Sequence, residues 1–325
     1  MSAILDTVLL TALPASGKSE VRKYLAQLDS GRVVEEFHMG PTVQLDDYPY
    51  VHIMRRISEE LSQAGLPPIF FPASDQTFCD ARDWGTLIEL INEDYADLRA
   101  KPKIAPASAA AWLFDRMDRA RMKVGAEPRL GLLGADARRK LESALESEAR
   151  DLLKEKLAGI PETLEGRTIV IEFARGGAQG STPPLAAPFG YQYSFSRLSD
   201  EILRRASILY IWVTPEESRR KNDERAKPGR DGDASILHHG VPIAVMLGDY
   251  GTDDMGYLID SSDKPGTVRV ETRGQAFHLP VSRFDNRTDL TTFIRDDASS
   301  WPPAKVAAID AEMKRALQAL AGVKR

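Results

Sequence analysis

The chain has 325 residues, 42% hydrophobic and 28% charged, with no internal repeat or low-complexity tract; this is an ordinary globular balance, enough for one large domain or two small ones. A net charge of -5 and a sequence pI of about 5.7 exclude a global basic field, so nucleic acid is not the default partner. The lone cysteine, Cys79, excludes an intrachain disulfide, and without a leader pattern or a run of about 18 uncharged apolar residues the chain reads as a soluble cytoplasmic protein with no membrane partner.

The first elements are a short apolar strand at residues 8–11 and a helix in which Val21, Leu25 and Leu28 recur at helical spacing. Between them runs Ala12-Leu13-Pro14-Ala15-Ser16-Gly17-Lys18-Ser19, which fits the phosphate-loop pattern G-x-x-x-x-G-K-[ST] except that alanine opens it. Strand, loop and helix are the context that pattern needs. Backbone N–H groups and the helix N-terminus cradle phosphate, the lysine reaches the β and γ phosphates, and the last hydroxyl ligates magnesium. Ala12 keeps the turn if its φ is negative. The positions expected around a nucleotide are Ala12, Pro14, Ala15, Ser16, Gly17, Lys18, Ser19 and Glu20. The plainer alternative is a helix start capped by Ser16.

In residues 32–48 a strand is expected to end near Phe37, followed by Asp46, Asp47 and a helix that begins near Pro49. The paired acids are either functional or a solvated turn that caps that helix. Residues 65–164 read as an insertion with helices at about 84–99, 107–123 and 135–158. Asp80, Arg82 and Asp83 precede Trp84 as a cap or a polar site group, and Arg116, Arg119, Arg121 and Lys123 are its clustered candidates for a basic groove.

Residues 169–171 form a β-branched run of the kind buried in a parallel sheet, ending in Glu172, with Arg175, Gly176 and Gly177 at the same rim. A further buried strand precedes Thr214, an N-cap with Pro215 behind it, and a helix rich in Arg219, Arg220 and Arg225. After the loop 227–233 come His238, His239, Asp249 and Asp254. Adjacent histidines point apart, so a metal is not expected there. Residues 258–281 read as a last strand, with Asp285 and Asn286 in its loop and a helix starting at 288–295, and 302–322 as an amphipathic helix packed on the core or on a second subunit of a homodimer.

Together these motifs resemble the P-loop kinases of the nucleoside and nucleotide group, of uridine kinase or adenylate kinase type, over residues 4–64, 166–225 and 276–297. The resemblance implies an α/β fold, a parallel P-loop core sandwiched by helices. Its segments would be residues 1–64, the insertion 65–164 at the acceptor, 165–300 with a lid at about 226–256, and 301–325. It implies ATP and magnesium as cofactors, with Lys18 on the phosphates, Ser19 and Glu172 on the metal, Glu172 through water. Asp46 or Asp47 would be the base toward an acceptor hydroxyl, Arg219, Arg220 and Arg225 the cations on the transferring group, and Asp285 and Asn286 adenine contacts. Glutamate stands where aspartate is commoner, which leaves the role of Glu172 open. The acceptor would be a hydroxyl or phosphate of a small molecule, nucleoside- or nucleotide-like; a modified base or hydroxyl within nucleic acid and a non-catalytic or slow nucleotide-binding regulator remain the alternatives.

Overall fold

A computed structural model describes residues 4–226 and 240–323. The loop 227–233 and the two histidines therefore lie outside the described residues. The chain runs β1 (Thr7–Thr11), α1 (Lys18–Ala26), α2 (Ser30–Phe37), β2 (Thr42–Asp46), α3 (Tyr48–Gln63), α4 (Asp83–Ala100), α5 (Ala109–Lys123), α6 (Ala135–Ala158) and β3 (Thr168–Phe173). It continues through α7 (Gly190–Arg197), α8 (Asp200–Arg205), β4 (Ala206–Trp212), α9 (Pro215–Arg225), α10 (Ile243–Gly248), α11 (Met255–Asp260), β5 (Thr267–Thr272), β6 (Gln275–Asp285) and α12 (Pro303–Gly322).

Six strands form one sheet in the order β2-β3-β1-β4-β6-β5. All neighbours pair in parallel except β5 with β6. Central strands buried on both faces need apolar runs, and β1 and β3 are buried along their whole length. The chain leaves β1 with β3 on one side and β4 on the other, a reversal of strand order that opens a crevice beyond the carboxyl ends of the strands. Register places Asp46 opposite Glu172, and Glu172 opposite Leu10, so the ends of β2 and β3 lie beside the β1–α1 loop.

One face of the sheet packs against α4, α7 and α8 through residues such as Ile91, Tyr191 and Ile202. The other packs against α1, α2 and α12 through Tyr24, Phe37 and Leu317. A third cluster joins α3, α5 and α6. Because α4 gives Ile88 and Ile91 to the sheet cluster and Trp84, Leu87 and Leu90 to the third, residues 65–164 are fused to the sheet layer. Helix α12 packs on the core, where Ile309, Met313 and Leu317 are fully buried. Among the described residues no helix is long and apolar enough to cross a membrane.

The structure corrects three local expectations. Residues 30–37 are helix α2, not a strand: the Asp29 side chain caps it by accepting from the Arg32 amide, and Phe37 then reaches the core one turn after Val33. The strand follows at β2. The single late strand is a hairpin, β5 and β6, joined by Arg273 and Gly274 with φ of 50° and 73°, the positive angles a tight hairpin turn requires. Residues 288–295 make only a short 3-10 turn over Thr292–Arg295. Within the span expected to be a lid, the described residues 240–256 include the fully buried Met246 and Met255 and the exposed Ile243.

Candidate active site

The β1–α1 loop is fixed by bonds to its carbonyl groups. Tyr191 Oη donates to the Ala12 carbonyl at 2.9 Å, Ser218 Oγ to that of Pro14 at 2.7 Å, and Asn286 Nδ2 to that of Ser16 at 2.7 Å. Ala15 and Gly17 have φ of 56° and 106°, while Ala12 does not fall in the positive region. A Cβ on Gly17 would meet Thr291 Oγ1 at 2.6 Å and Asn286 Nδ2 at 2.8 Å, so glycine is required there for angle and for room. Gly17 is the N-cap of α1, with no side-chain cap bond. Ser16, read above as a cap in the plainer alternative, has its hydroxyl on the Pro14 carbonyl. Carbonyls tied back, two left-handed residues and an uncapped helix start together shape a concavity of the kind that suits an anion.

This loop forms one side of a cavity of about 370 Å³. Pro14, Ala15, Lys18 and Ser19 line it together with Asp46, Asp47, Glu172 and Arg225, while Phe71, Phe78, Trp84 and Tyr250 form an aromatic wall. Burial lowers the Lys18 pKa, opposed by Glu172, Asp46 and Asp47. Burial, and then the Glu172 and Asp47 carboxylates, push Asp46 up to about 7, although its Oδ1 accepts from the Tyr48 amide at 2.8 Å. Asp47 is differently placed. Its Oδ2 is 2.6 Å from Arg175 Nη1, and that guanidinium, 2% exposed, lies between Trp84 and Phe173 at 4.8 and 5.2 Å from the ring centres. Glu172 takes a 2.5 Å contact from Arg22 Nη1.

Not every expected residue reaches the cavity. Arg225 does, parked against Glu20 Oε1 at 3.4 Å. Glu20 also takes Arg295 Nε at 2.7 Å; burial works against its charge, but Arg225 and Arg295 hold its pKa below the ordinary value. Glu20 is thus an anchor for two arginines. Arg219 pairs with Glu216, and Arg220 with Glu217 and Glu224, on the surface of α9. Asn286 is fully buried beneath the loop, its amide donating to Ser16 and to Thr291 Oγ1, which makes it a brace in place of a base contact. Asp285 pairs with Arg287.

Asp254 caps α7 by accepting from the Tyr191 and Gln192 amides, whereas Asp249 lines the cavity. Asp80 pairs with Arg82, and Asp83 with the fully buried Arg121. Arg116 is buried against Glu93 and Asp94, and Lys123 meets Glu93, so three of the four basic residues of α5 are held by acids, while Arg119 is exposed. Among the described residues no three or more His, Cys, Asp or Glu side chains gather as a metal cluster; Ser19 and Glu172 both face the cavity.

Arg22, Tyr191, Ser218 and the aromatic wall of Phe71, Phe78, Trp84 and Tyr250 were not singled out as site residues by sequence. Only Arg22 carries a local signal, one helical turn beyond Ser19. A second cavity of about 260 Å³, between α1, α2 and the sheet, is mainly apolar and has Arg22 as its one titratable lining residue. Comparison with family models, curated proteins and solved structures finds no match for this chain.

Proposed function

We propose that this protein is an ATP-dependent phosphotransferase of the P-loop kinase type, moving the γ-phosphoryl group to an acceptor held in the 370 Å³ cavity. The observation that carries the reading is one cavity that joins an uncapped helix start, with Lys18 and Ser19, to a carboxylate titrating near 7, Asp46. Phosphoryl transfer needs positioning and charge neutralisation more than covalent help. The loop amides and Lys18 are suited to the triphosphate, and Ser19 with Glu172 would hold magnesium, which would supply charge neutralisation for the transfer.

Asp46 would take the acceptor proton, since a base with a pKa near the working pH is partly free yet still basic. Asp47 holds Arg175 and through it the wall. Arg225 lies on the loop side, where a guanidinium can follow charge that develops on the transferring oxygens. Arg116, Arg121 and Lys123, each held by acids, speak against a basic groove for nucleic acid, and Asp46 speaks against a regulator without a base.

The test is ADP release by the purified protein with magnesium-ATP across candidate acceptors, beside direct ATP binding by Lys18→Ala. Stimulated release, together with lost ATP binding in a folded Lys18→Ala variant, supports the reading. Near-normal ATP binding by that variant would sink it.

A further inference from the structure

The second cavity, of about 260 Å³, is a gap in the cluster that packs α1 and α2 on the sheet. Leu10, Val21, Leu25, Val33, Met39 and Val170 line it and belong to that cluster or pack on it. Well-packed interiors hold few voids larger than a water molecule. An apolar cavity of about 150 Å³ takes benzene, so by proportion this one has room for roughly ten non-hydrogen atoms. That is too little for a two-chain lipid and enough for a small apolar molecule. The way in lies between the exposed Ala26, Ser30, Thr42 and Gln44.

The cavity also has a sign. Among the described residues Arg22 is its one titratable lining group, no carboxylate lines it, and Ser30, Thr42 and Gln44 are neutral. The Arg22 side chain is 28% exposed and gives Nη1 to Glu172, while its Nε has no hydrogen-bond partner among the described residues. A guanidinium carries five donors, so one carboxylate oxygen leaves it short of acceptors. An apolar lining with a part-hydrated cation at its edge suits an anion with an apolar body: a neutral molecule leaves the guanidinium unmatched, and an ammonium is repelled by it. Arg22 also stands between two cavities, since it lines this one and its partner Glu172 lines the other.

We propose that the 260 Å³ cavity is a second ligand site, for a small carboxylate with an apolar body, seated with its carboxylate on Arg22 in competition with Glu172. Freed from Arg22, Glu172 adds its full charge to the 370 Å³ cavity, and a divalent cation binds there more tightly. By linkage the cation tightens the carboxylate by the same factor. This coupling alone rests on the phosphotransferase reading.

Calorimetry is run with octanoate, octanol and octylammonium, each in its monomeric range. Octanoate should bind about tenfold or more tighter than octanol, the size of one charge-assisted bond, and octylammonium should not bind. Arg22→Met should remove the preference for octanoate, and Val33→Phe, which fills the cavity, should abolish binding of both. If Val33→Phe does not fold, Gln44→Trp at the exposed rim serves. Saturating octanoate should also lower the magnesium needed for half-maximal ATP binding, by about fivefold. Absent octanoate binding, octanol or octylammonium binding as tightly, a preference kept by Arg22→Met, or unchanged octanoate binding in a folded cavity-filled variant overturns the proposal. So does an unmoved magnesium requirement in parent protein that binds ATP. Parent protein that binds no magnesium-ATP removes the phosphotransferase reading instead, and the binding of the three probes to parent and variants decides the second site by itself.

Discussion

Asp46 and Asp47 are neighbours in sequence with opposite surroundings. Asp47 is held by the buried Arg175, whereas Asp46 keeps only the Tyr48 amide and faces two other carboxylates. Asp46→Asn should therefore lower turnover by about two to four powers of ten at constant ATP affinity, the usual share of a general base. The active form is the carboxylate, so turnover should fall as pH drops through about 7. Stability runs the other way: a carboxyl raised above its unfolded value of 3.8 stabilises the fold fully below that value and loses this as pH rises toward 7. Thermal melts should thus show Asp46→Asn gaining on the parent from pH 4 to pH 8, and a constant difference would contradict the placement of Asp46. Gly17→Ala should abolish nucleotide binding, because Thr291 and Asn286 fill the space and φ is 106°, while Ala12→Gly should bind ATP normally at a stability cost of about 0.5–1 kcal/mol; calorimetric titration of both checks this. Lys18, Ser19, Asp46, Asp47, Glu172 and Arg225, each expected from a short contiguous pattern, line one cavity. Arg22 was not expected, since its partner Glu172 is 150 positions away. Asn286 was misread because position in a loop near a site does not tell a ligand contact from a brace.

Long amphipathic helices were legible almost to their ends: α4, α5 and α6 fall within two residues of the spans expected from periodicity. Helix α2 was not, because adjacent valines suggest a strand and only the Asp29 cap, a local side-chain bond, tips the segment to helix. The hairpin was merged into one strand because Arg273-Gly274 is a weak written signal for a turn. Helix α9 shows what an element adds beyond its own stability. Thr214 caps it as expected, and one turn later the buried Ser218 donates to the Pro14 carbonyl, so the helix clamps the loop. Ser218→Ala should leave that carbonyl with only the 3.4 Å bond from Ser16 Oγ, at a cost of about 1 kcal/mol. It should also weaken ATP binding, because the amides of a loosened loop no longer converge. Ser218→Thr, which keeps the hydroxyl, should restore binding where it folds; equal ATP affinity in parent and Ser218→Ala would show that the loop holds its shape without α9.

The three clusters of the core meet around Arg175. Its guanidinium contacts Asp47 at the end of β2, the Trp84 carbonyl and ring at the start of α4, and Phe173 at the end of β3, while its amide donates to Tyr191 Oη, which in turn holds the Ala12 carbonyl. The buried arginine makes the aromatic wall, the paired acids and the β1–α1 loop one unit. Removing one partner of such a pair strands a buried charge, which typically costs about 3–5 kcal/mol, whereas removing both together is far cheaper. Arg175→Met should therefore destabilise strongly, and Arg175→Met with Asp47→Asn should recover most of the loss, as read by urea unfolding. The same pair of variants should move the pH profile of turnover in opposite directions. With Arg175 gone, the Asp47 carboxylate stands unneutralised beside Asp46, and the inflection should rise above about 7. With Asp47 neutral as well, one of the two carboxylates that raise Asp46 is gone, and the inflection should fall below the parent value. A structural role alone would lower turnover equally at every pH, so parallel profiles in the three proteins would separate Arg175 from the titration of Asp46.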